Sequence, residues 1–516
     1  MSESPASLMR LWMALRPHRL PLALVVLAAA AVLDLYYANS PHAVIEFDSQ
    51  NSLGTPTYLG AARDLLHGHV FSTGRLPGYP LLLAILGASG GSYGPLLAVQ
   101  AVMFLAVIAL TYWIAWSALR RRWIAFAVAL LMATDVYAAA YSKEVLSESL
   151  ALILVAGLLV ALVSFVAQPR PSIVWTIAAL ATATTFTRPE WTFLPLALCV
   201  YFAVWALVRS LPRRVIVHGL AATAACYLVI GGYVAGNAVF NGYAGTSEIN
   251  NISLLGKVMQ YDMQLEAPAR YRTQALVVDQ YVNVTHLNVW HLITEHPEFA
   301  ANHYALSGDL SRAAILADPV KFVRLSIGLA LTHNADVDEP LLHVSTSGAF
   351  RLPLRALAHY TSARYAAFWL LPALAVLWVL YPLVFSFRRA PTPTLPPAGR
   401  GSFPDAMGPV ALVALYGVLV IAFGGFDEYG RYHTVFLPAS MIVVWGTLLF
   451  NVEIASQVPN RLGALTAALV VIELAAIVLL AREPGAGLAA VVSAVVLAAQ
   501  GTLLWAWQRR AMSVPR

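Results

Sequence analysis

About twelve apolar runs, most of them near the roughly 20 residues that a helix needs to cross a bilayer, succeed one another along this 516-residue chain. They cover residues 20–38, 94–118, 123–141, 146–167, 173–187, 191–208, 215–236, 366–386, 408–424, 433–450, 462–481 and 486–507. Hydrocarbon offers no hydrogen bonds, so a crossing segment must satisfy its own backbone, and uninterrupted apolar runs of this length do so as helices. With 59% hydrophobic and only 11% charged residues, the chain has more apolar surface than one soluble core can hide. The expected fold is an all-α polytopic membrane protein of about twelve transmembrane helices. The weakest runs are 173–187, which is short, and 123–141, which Asp135 interrupts.

Charge orients these runs. Lys and Arg collect in the cytoplasmic loops of membrane proteins, and Arg120, Arg121, Arg122, Arg170, Arg209, Arg213, Arg214, Arg388, Arg389, Arg400, Arg461, Arg509 and Arg510 all fall in alternate loops. Both termini are then cytoplasmic, and the basic start (Arg10, Arg16, Arg19) reads as a retained anchor. The net charge of +6 follows from this topology and points to no nucleic-acid partner. Cys199 and Cys226 sit inside apolar runs, which excludes a disulfide framework or a zinc cluster.

Two of the outside segments are long. The first, 39–95, contains TYLGAARDLLHGHVF, whose apolar residues recur at helical spacing, and then GYPLLLAILG, too short to span. Both are expected to be interfacial helices. The second, 237–365, mixes polar and aromatic residues and includes a further helical stretch, ADPVKFVRLSIGLALTH, within a small subdomain. The chain thus divides into a transmembrane module (1–236) with a catalytic first outside loop, a periplasmic segment (237–365), and C-terminal transmembrane helices (366–516). The linker RRAPTPTLPPAGRGSFPDA is an extended tether.

Charged groups are costly near a bilayer, so those at run ends call for a reason. Four clusters stand at the outside face: EFDSQN (Glu46, Asp48), YSKEVLSESL (Lys143, Glu144, Glu148), TRPEW (Arg188, Glu190) and GGFDEYGRYHTVFLP (Asp427, Glu428, Arg431, Tyr432, His433). Any one alone reads as a solvated loop end whose ion pairs hold helix register. Four on one face point instead to a shared site.

The order and sidedness of YLGAARDLLHGHVFSTGRLPGYPLLLAIL, SESLALIL, TRPEWTFLPLAL and GRYHTVFLPASMIVVW resemble the GT-C superfamily of polyprenyl-phosphate-sugar glycosyltransferases. That superfamily includes the protein O-mannosyltransferases and lipid A aminoarabinose transferases. The resemblance covers most of residues 20–450. It implies an enzyme of a bacterial inner membrane that moves one sugar from a polyprenyl-monophosphate carrier to a periplasmic acceptor: lipid A, a cell-wall glycan or a protein. It also implies that RLPGYP forms the turn between two interfacial helices walling the site, where Pro and Gly break one helix and start the next.

Such a transfer needs a carboxylate to deprotonate the acceptor hydroxyl and cations to stabilise the departing phosphate. Asp48, Glu148 and Glu144 are the candidate catalytic acids. Arg431, Arg188, Arg75 and Lys143 are the candidate phosphate partners, Arg being suited by its fork of donors. Glu46, Tyr58, Tyr79, Glu190, Tyr432 and His433 would line the site. One departure stands out: the family's acid lies four residues before the Tyr of YxxxAxxL, and here that position is Gly54. Either QNSLGTP loops out and restores Asp48, another acid has taken over, or the chain is a non-catalytic relative. No cofactor is required; a divalent metal is compatible with the chemistry but not indicated, since His67 and His69 lack a nearby third ligand. The reading of another class is a transporter or flippase of lipid-linked sugar, which would place ionisable or helix-breaking residues near the midplane of paired repeats.

Overall fold

The computed structural model describes residues 16–39, 57–209, 211–285, 289–333, 351–386, 403–424 and 429–457. Glu46, Asp48, Gly54, Asp427, Glu428 and the runs expected at 462–481 and 486–507 lie outside them. All regular elements among the described residues are helical. The first part of the chain forms α1 (Arg19–Asn39), α2 (Tyr58–Leu66), α3 (Gly78–Ile85), α4 (Gly94–Leu119), α5 (Arg122–Ala133), α6 (Val136–Ala140), α7 (Glu148–Ala167), α8 (Pro171–Thr187), α9 (Leu194–Arg209) and α10 (Arg213–Asn241). A helical segment follows with α11 (Ile249–Gln260), α12 (Arg272–Asp279), α13 (Val289–Glu295), α14 (Ala301–Ala317) and α15 (Pro319–His333). The last part holds α16 (Arg351–Tyr365), α17 (Leu371–Ser386), α18 (Phe403–Phe423), α19 (Tyr429–Val435), α20 (Leu437–Met441) and α21 (Thr447–Gln457).

Among the described residues seven helices are long and apolar enough to cross a membrane, or up to nine if each of two bent pairs is one span. This is an all-α, polytopic membrane architecture, with seven to nine crossings among the described residues against the twelve expected over the whole chain. Two of the expected runs lie outside the described residues. A third, α8, has 17 residues and is about 26 Å long at helical rise. Two more are bent: α5 meets the 136–143 segment at 53°, where Asp135 interrupts the run, and α19 meets the 437–453 segment at 80°, at a break ahead of Pro438. The span expected to begin at 366 starts earlier, at Pro353.

Burial orders the bundle. The α18 span is 78% buried and the α7 span 56%, against 22% for α10, so α7 and α18 are the axis and α10 is peripheral. Large apolar side chains on the outer helices, among them Leu27, Val102, Leu207, Leu228 and Val239, stay exposed, as lipid-facing residues do. The central α7 packs against α4, α8, α18 and α19, and α15 rests on α18. Because the chain reverses at Arg120–Arg122, at 168–170 and at 209–213, the starts of α7 and α19 and the C-terminus of α8 share the opposite end of the bundle.

At that end α2 and α3 are the two short helices foreseen around RLPGYP. Thr57 caps α2 by accepting from Gly60 N (2.9 Å), and the helix buries Tyr58, Leu59, Ala61 and Ala62. Gly78, the first residue of α3, packs directly on the last turn of α8: a Cβ there would lie 2.7 Å from the Phe186 carbonyl and 2.8 Å from Thr187 Oγ1. The glycine of RLPGYP therefore docks the first loop onto the TRPEW turn.

Candidate functional site

The TRPEW turn is built by its proline. A residue before Pro avoids helical geometry, and Arg188, with φ −145° and ψ 118°, ends α8 there. Its backbone N–H still donates to Thr184 O (2.9 Å), while its side chain turns into the bundle and is 5% exposed. Trp191, 1% exposed, anchors the other side of the turn against Tyr416, with ring centroids 5.4 Å apart.

Arg188 meets Glu148 at the first position of α7, where a carboxylate also complements the helix dipole. Arg188 Nη1 donates to Glu148 Oε1 (2.6 Å), and its Nε pairs with Glu190. Arg431, from the first turn of α19, donates through Nε to the same Glu148 oxygen. Tyr432 places its ring 5.2 Å from the Arg188 guanidinium carbon, so the RY dipeptide supplies both a second arginine and an aromatic face. Glu148 is fully buried; it holds two guanidiniums from separate helices on one oxygen, and its Oε2 has no hydrogen-bond partner among the described residues. In an ion set this enclosed, removing one charge would strand the others in low dielectric, which is strongly destabilising.

The first loop joins from above. The Tyr58 hydroxyl donates to Ser147 Oγ (3.1 Å), beside Glu148. The Arg75 guanidinium carbon lies 4.5 Å from the Tyr58 ring centroid, and the Tyr79 ring stands edge-on to Tyr58 at 5.1 Å. Lys143 lies 5.7 Å from the Tyr37 ring centroid, at the turn before α7. In the same turn burial pushes the Glu144 carboxyl up to about 7, against the opposing pull of Lys143, so it is a weak acid there. With every group ionised, the four cations Arg75, Lys143, Arg188 and Arg431 outnumber Glu144, Glu148 and Glu190 by one among the described residues.

The structure therefore brings Glu148, Arg188, Glu190, Arg431 and Tyr432 together, with Tyr58, Arg75 and Tyr79 on the flanking loop and Lys143 and Glu144 on the adjoining turn. Glu144 and Glu148 do not share a helix face: Glu144 is extended (φ −97°, ψ 151°) and precedes α7. His433 stands apart, its ring packed among Phe368 (4.6 Å), Phe436 (4.9 Å) and Tyr365 (5.6 Å). Asp48 and Glu46 lie outside the described residues. Among the described residues no three His, Cys, Asp or Glu side chains gather in a metal-binding group.

Some buried polar contacts went unread in the sequence. Asp135 at the α5–α6 break is fully buried, pairs with Arg364 Nη2 (2.8 Å), and accepts from the Tyr365 hydroxyl (2.8 Å). Lys257 on α11 is fully buried and donates to Ile421 O at the end of α18 (3.0 Å). Gln100 in α4 is fully buried and bonded on both sides of its amide. The signal for Gln100 was available: it is a lone amide in an otherwise apolar stretch of a spanning helix.

No family model matches the chain, and no curated protein matches it. Solved structures similar to it include the archaeal oligosaccharyltransferase AglB from Archaeoglobus fulgidus in complex with an inhibitory peptide and a dolichol-phosphate, at TM-score 0.43 and 13% identity over 94% of this chain and 56% of that one. A second is the Archaeoglobus fulgidus oligosaccharyltransferase tethered to an acceptor peptide by a disulfide bond, at TM-score 0.42 and 15% identity over 92% and 55%. The chain thus spans little more than half the length of the proteins it resembles in shape.

Proposed function

We propose that this chain is a membrane glycosyltransferase that moves a single sugar from a polyprenyl-monophosphate carrier to an acceptor on the outer side of a bacterial inner membrane. The observation that carries the reading is the convergence of Arg188 and Arg431, from separate helices, on buried Glu148 at the end of the bundle where the first loop adds Arg75. The departing group is a phosphate, and preorganised guanidiniums stabilise developing charge without reorganising at the moment of reaction. A guanidinium has five N–H donors, so pairing with a glutamate leaves it able to hold phosphate oxygens. Glu148 is in this reading a positioning residue for the two arginines. The acceptor proton goes to Asp48, or to Glu144, whose raised pKa suits a base near neutral pH. Lipid A, a cell-wall glycan and a protein all present the nucleophilic hydroxyl the chemistry needs.

The test is purified protein in nanodiscs, with polyprenyl-phosphate sugar titrated against a fixed acceptor extract. Arg431→Ala should raise the donor KM and lower kcat, whereas Asp48→Asn should lower kcat by roughly 10² to 10⁴ and leave donor binding intact. Unchanged donor affinity and rate in Arg431→Ala would remove the clamp. The two bent pairs, with buried Asp135 beside one break, are what a carrier of lipid-linked sugar would share. Reconstituted protein that moves labelled donor lipid between leaflets without transferring its sugar would establish that second reading instead.

A further inference from the structure

We propose that Gln100 is a positioning residue that holds the first-loop cation Arg75 in register with the Glu148 arginine set; its place in catalysis rests on the transferase reading above, its structural role does not. Gln100 is fully buried in a helix with almost no other polar group, and an amide there is costly unless partnered on both sides. Its Oε1 accepts from the Tyr79 hydroxyl on α3 (2.9 Å). Its Nε2 donates to two carbonyls of the turn before α7, Ser142 O and Glu144 O, both at 3.0 Å. One side chain from a membrane span therefore ties a loop helix to the turn that presents Lys143, Glu144 and Glu148.

The contacts close into a circuit. From Gln100 the path runs through Tyr79 to the edge-on ring of Tyr58, and from the Tyr58 hydroxyl to Ser147 at the head of α7. It returns through the 142–144 carbonyls to Gln100. Arg75 rides on the Tyr58 face and Glu148 follows Ser147 in the chain, so both ends of the cation set hang from this circuit. Tyr58, Tyr79 and Ser147 belong to loops or helix starts; Gln100 alone among these residues is set inside a long continuous helix, as the seventh residue of a 26-residue span. The rigid span thereby transmits its position to two loops that have no backbone continuity with each other.

The discriminating measurement is amide hydrogen exchange of the full-length protein in nanodiscs, which needs no substrate. Gln100→Leu keeps the volume and removes all three bonds; exchange should accelerate in step over 78–86 and 141–147, by about tenfold or more. Gln100→Glu keeps an acceptor for Tyr79 but replaces two N–H donations by at most one O–H, so it should loosen 141–147 and spare 78–86. Tyr79→Phe should do the reverse. Unaltered exchange in both segments for Gln100→Leu, or acceleration confined to α4 itself, would overturn the proposal. In the transfer assay, Gln100→Leu and Arg75→Ala should each raise the donor KM, and the double variant should be no worse than Arg75→Ala alone, as expected for residues acting through one contact chain. Strictly additive losses would mean that Gln100 does not act through Arg75. A wild-type protein that transfers no sugar would sink the transferase reading while the exchange data still decide the role of Gln100.

Discussion

Two buried residues tune the chain in opposite senses. Burial raises Glu144 from an ordinary 4.5 to about 7, and burial lowers Lys257 from 10.5 to about 7. Between pH 4.5 and 7 the folded state binds more protons than the unfolded one at Glu144, so that contribution to stability is present in acid and lost as pH rises towards 7. Between pH 7 and 10.5 the unfolded state binds more protons at Lys257, so that contribution returns as pH rises above 7. Together they contribute a stability minimum near neutral pH. Unfolding midpoints in one detergent at about pH 5, 7 and 9.5 should dip at the centre; Glu144→Gln should flatten the acid limb and Lys257→Met the alkaline one. Limbs that survive both substitutions would assign the profile to other groups. Residue types were legible from sequence here, since every cation of the site was named in advance. Their pairings were not: which arginine meets which glutamate depends on α7, α8 and α19 meeting at one point.

Elements assemble around a few close approaches, and Gly78 is the tightest of them at the site. Any side chain there meets a backbone carbonyl that belongs to the end of α8, and backbone cannot yield as a flexible side chain would. Gly78→Val should therefore push α3 away from the Arg188 turn, with a stability loss of about 1–3 kcal/mol typical of overpacking. It should also cost transfer activity beyond what the stability loss explains, because Arg75 moves with α3. A Gly78→Val protein with wild-type midpoint and turnover would show that the contact does not hold the loop. The helices of the first loop were readable from helical spacing and run length, and the turn between them from the resemblance, with Pro and Gly as the breakers. The bent pairs were not, because Asp135 and Pro438 mark a break without stating its angle, which is 53° in one pair and 80° in the other.

At the scale of the molecule the charge pattern makes a topological claim that labelling can check. His67 and Arg214 are both exposed and lie at opposite ends of the bundle. A membrane-impermeant maleimide added to intact cells should modify His67→Cys and leave Arg214→Cys untouched until the membrane is opened. The two native cysteines are internal controls. Cys199 and Cys226 line an apolar cavity of ≈ 90 Å³ between α7, α8, α9 and α10, where a charged reagent does not partition. Labelling of Arg214→Cys alone would invert the orientation and place the arginine set on the cytoplasmic side.

Local chemistry was enough to establish from sequence that the chain is helical, polytopic and lipid-embedded, because hydrocarbon solubility and backbone self-satisfaction depend on composition and run length alone. It was also enough to list the charged residues and to group those described by the end of the bundle at which they fall, since alternate loops share an end. The tertiary structure decided the rest. It joined Glu148 to Arg188 and Arg431 across 40 and 283 residues of chain, turned His433 into an aromatic pocket two residues beyond Arg431, and made the unremarked Gln100 a junction between two loops. Such contacts arise from the packing of whole helices, in which a fraction of a turn about the axis decides whether a side chain meets the site, the core or lipid; which helix stands opposite is not carried by any run of neighbouring residues.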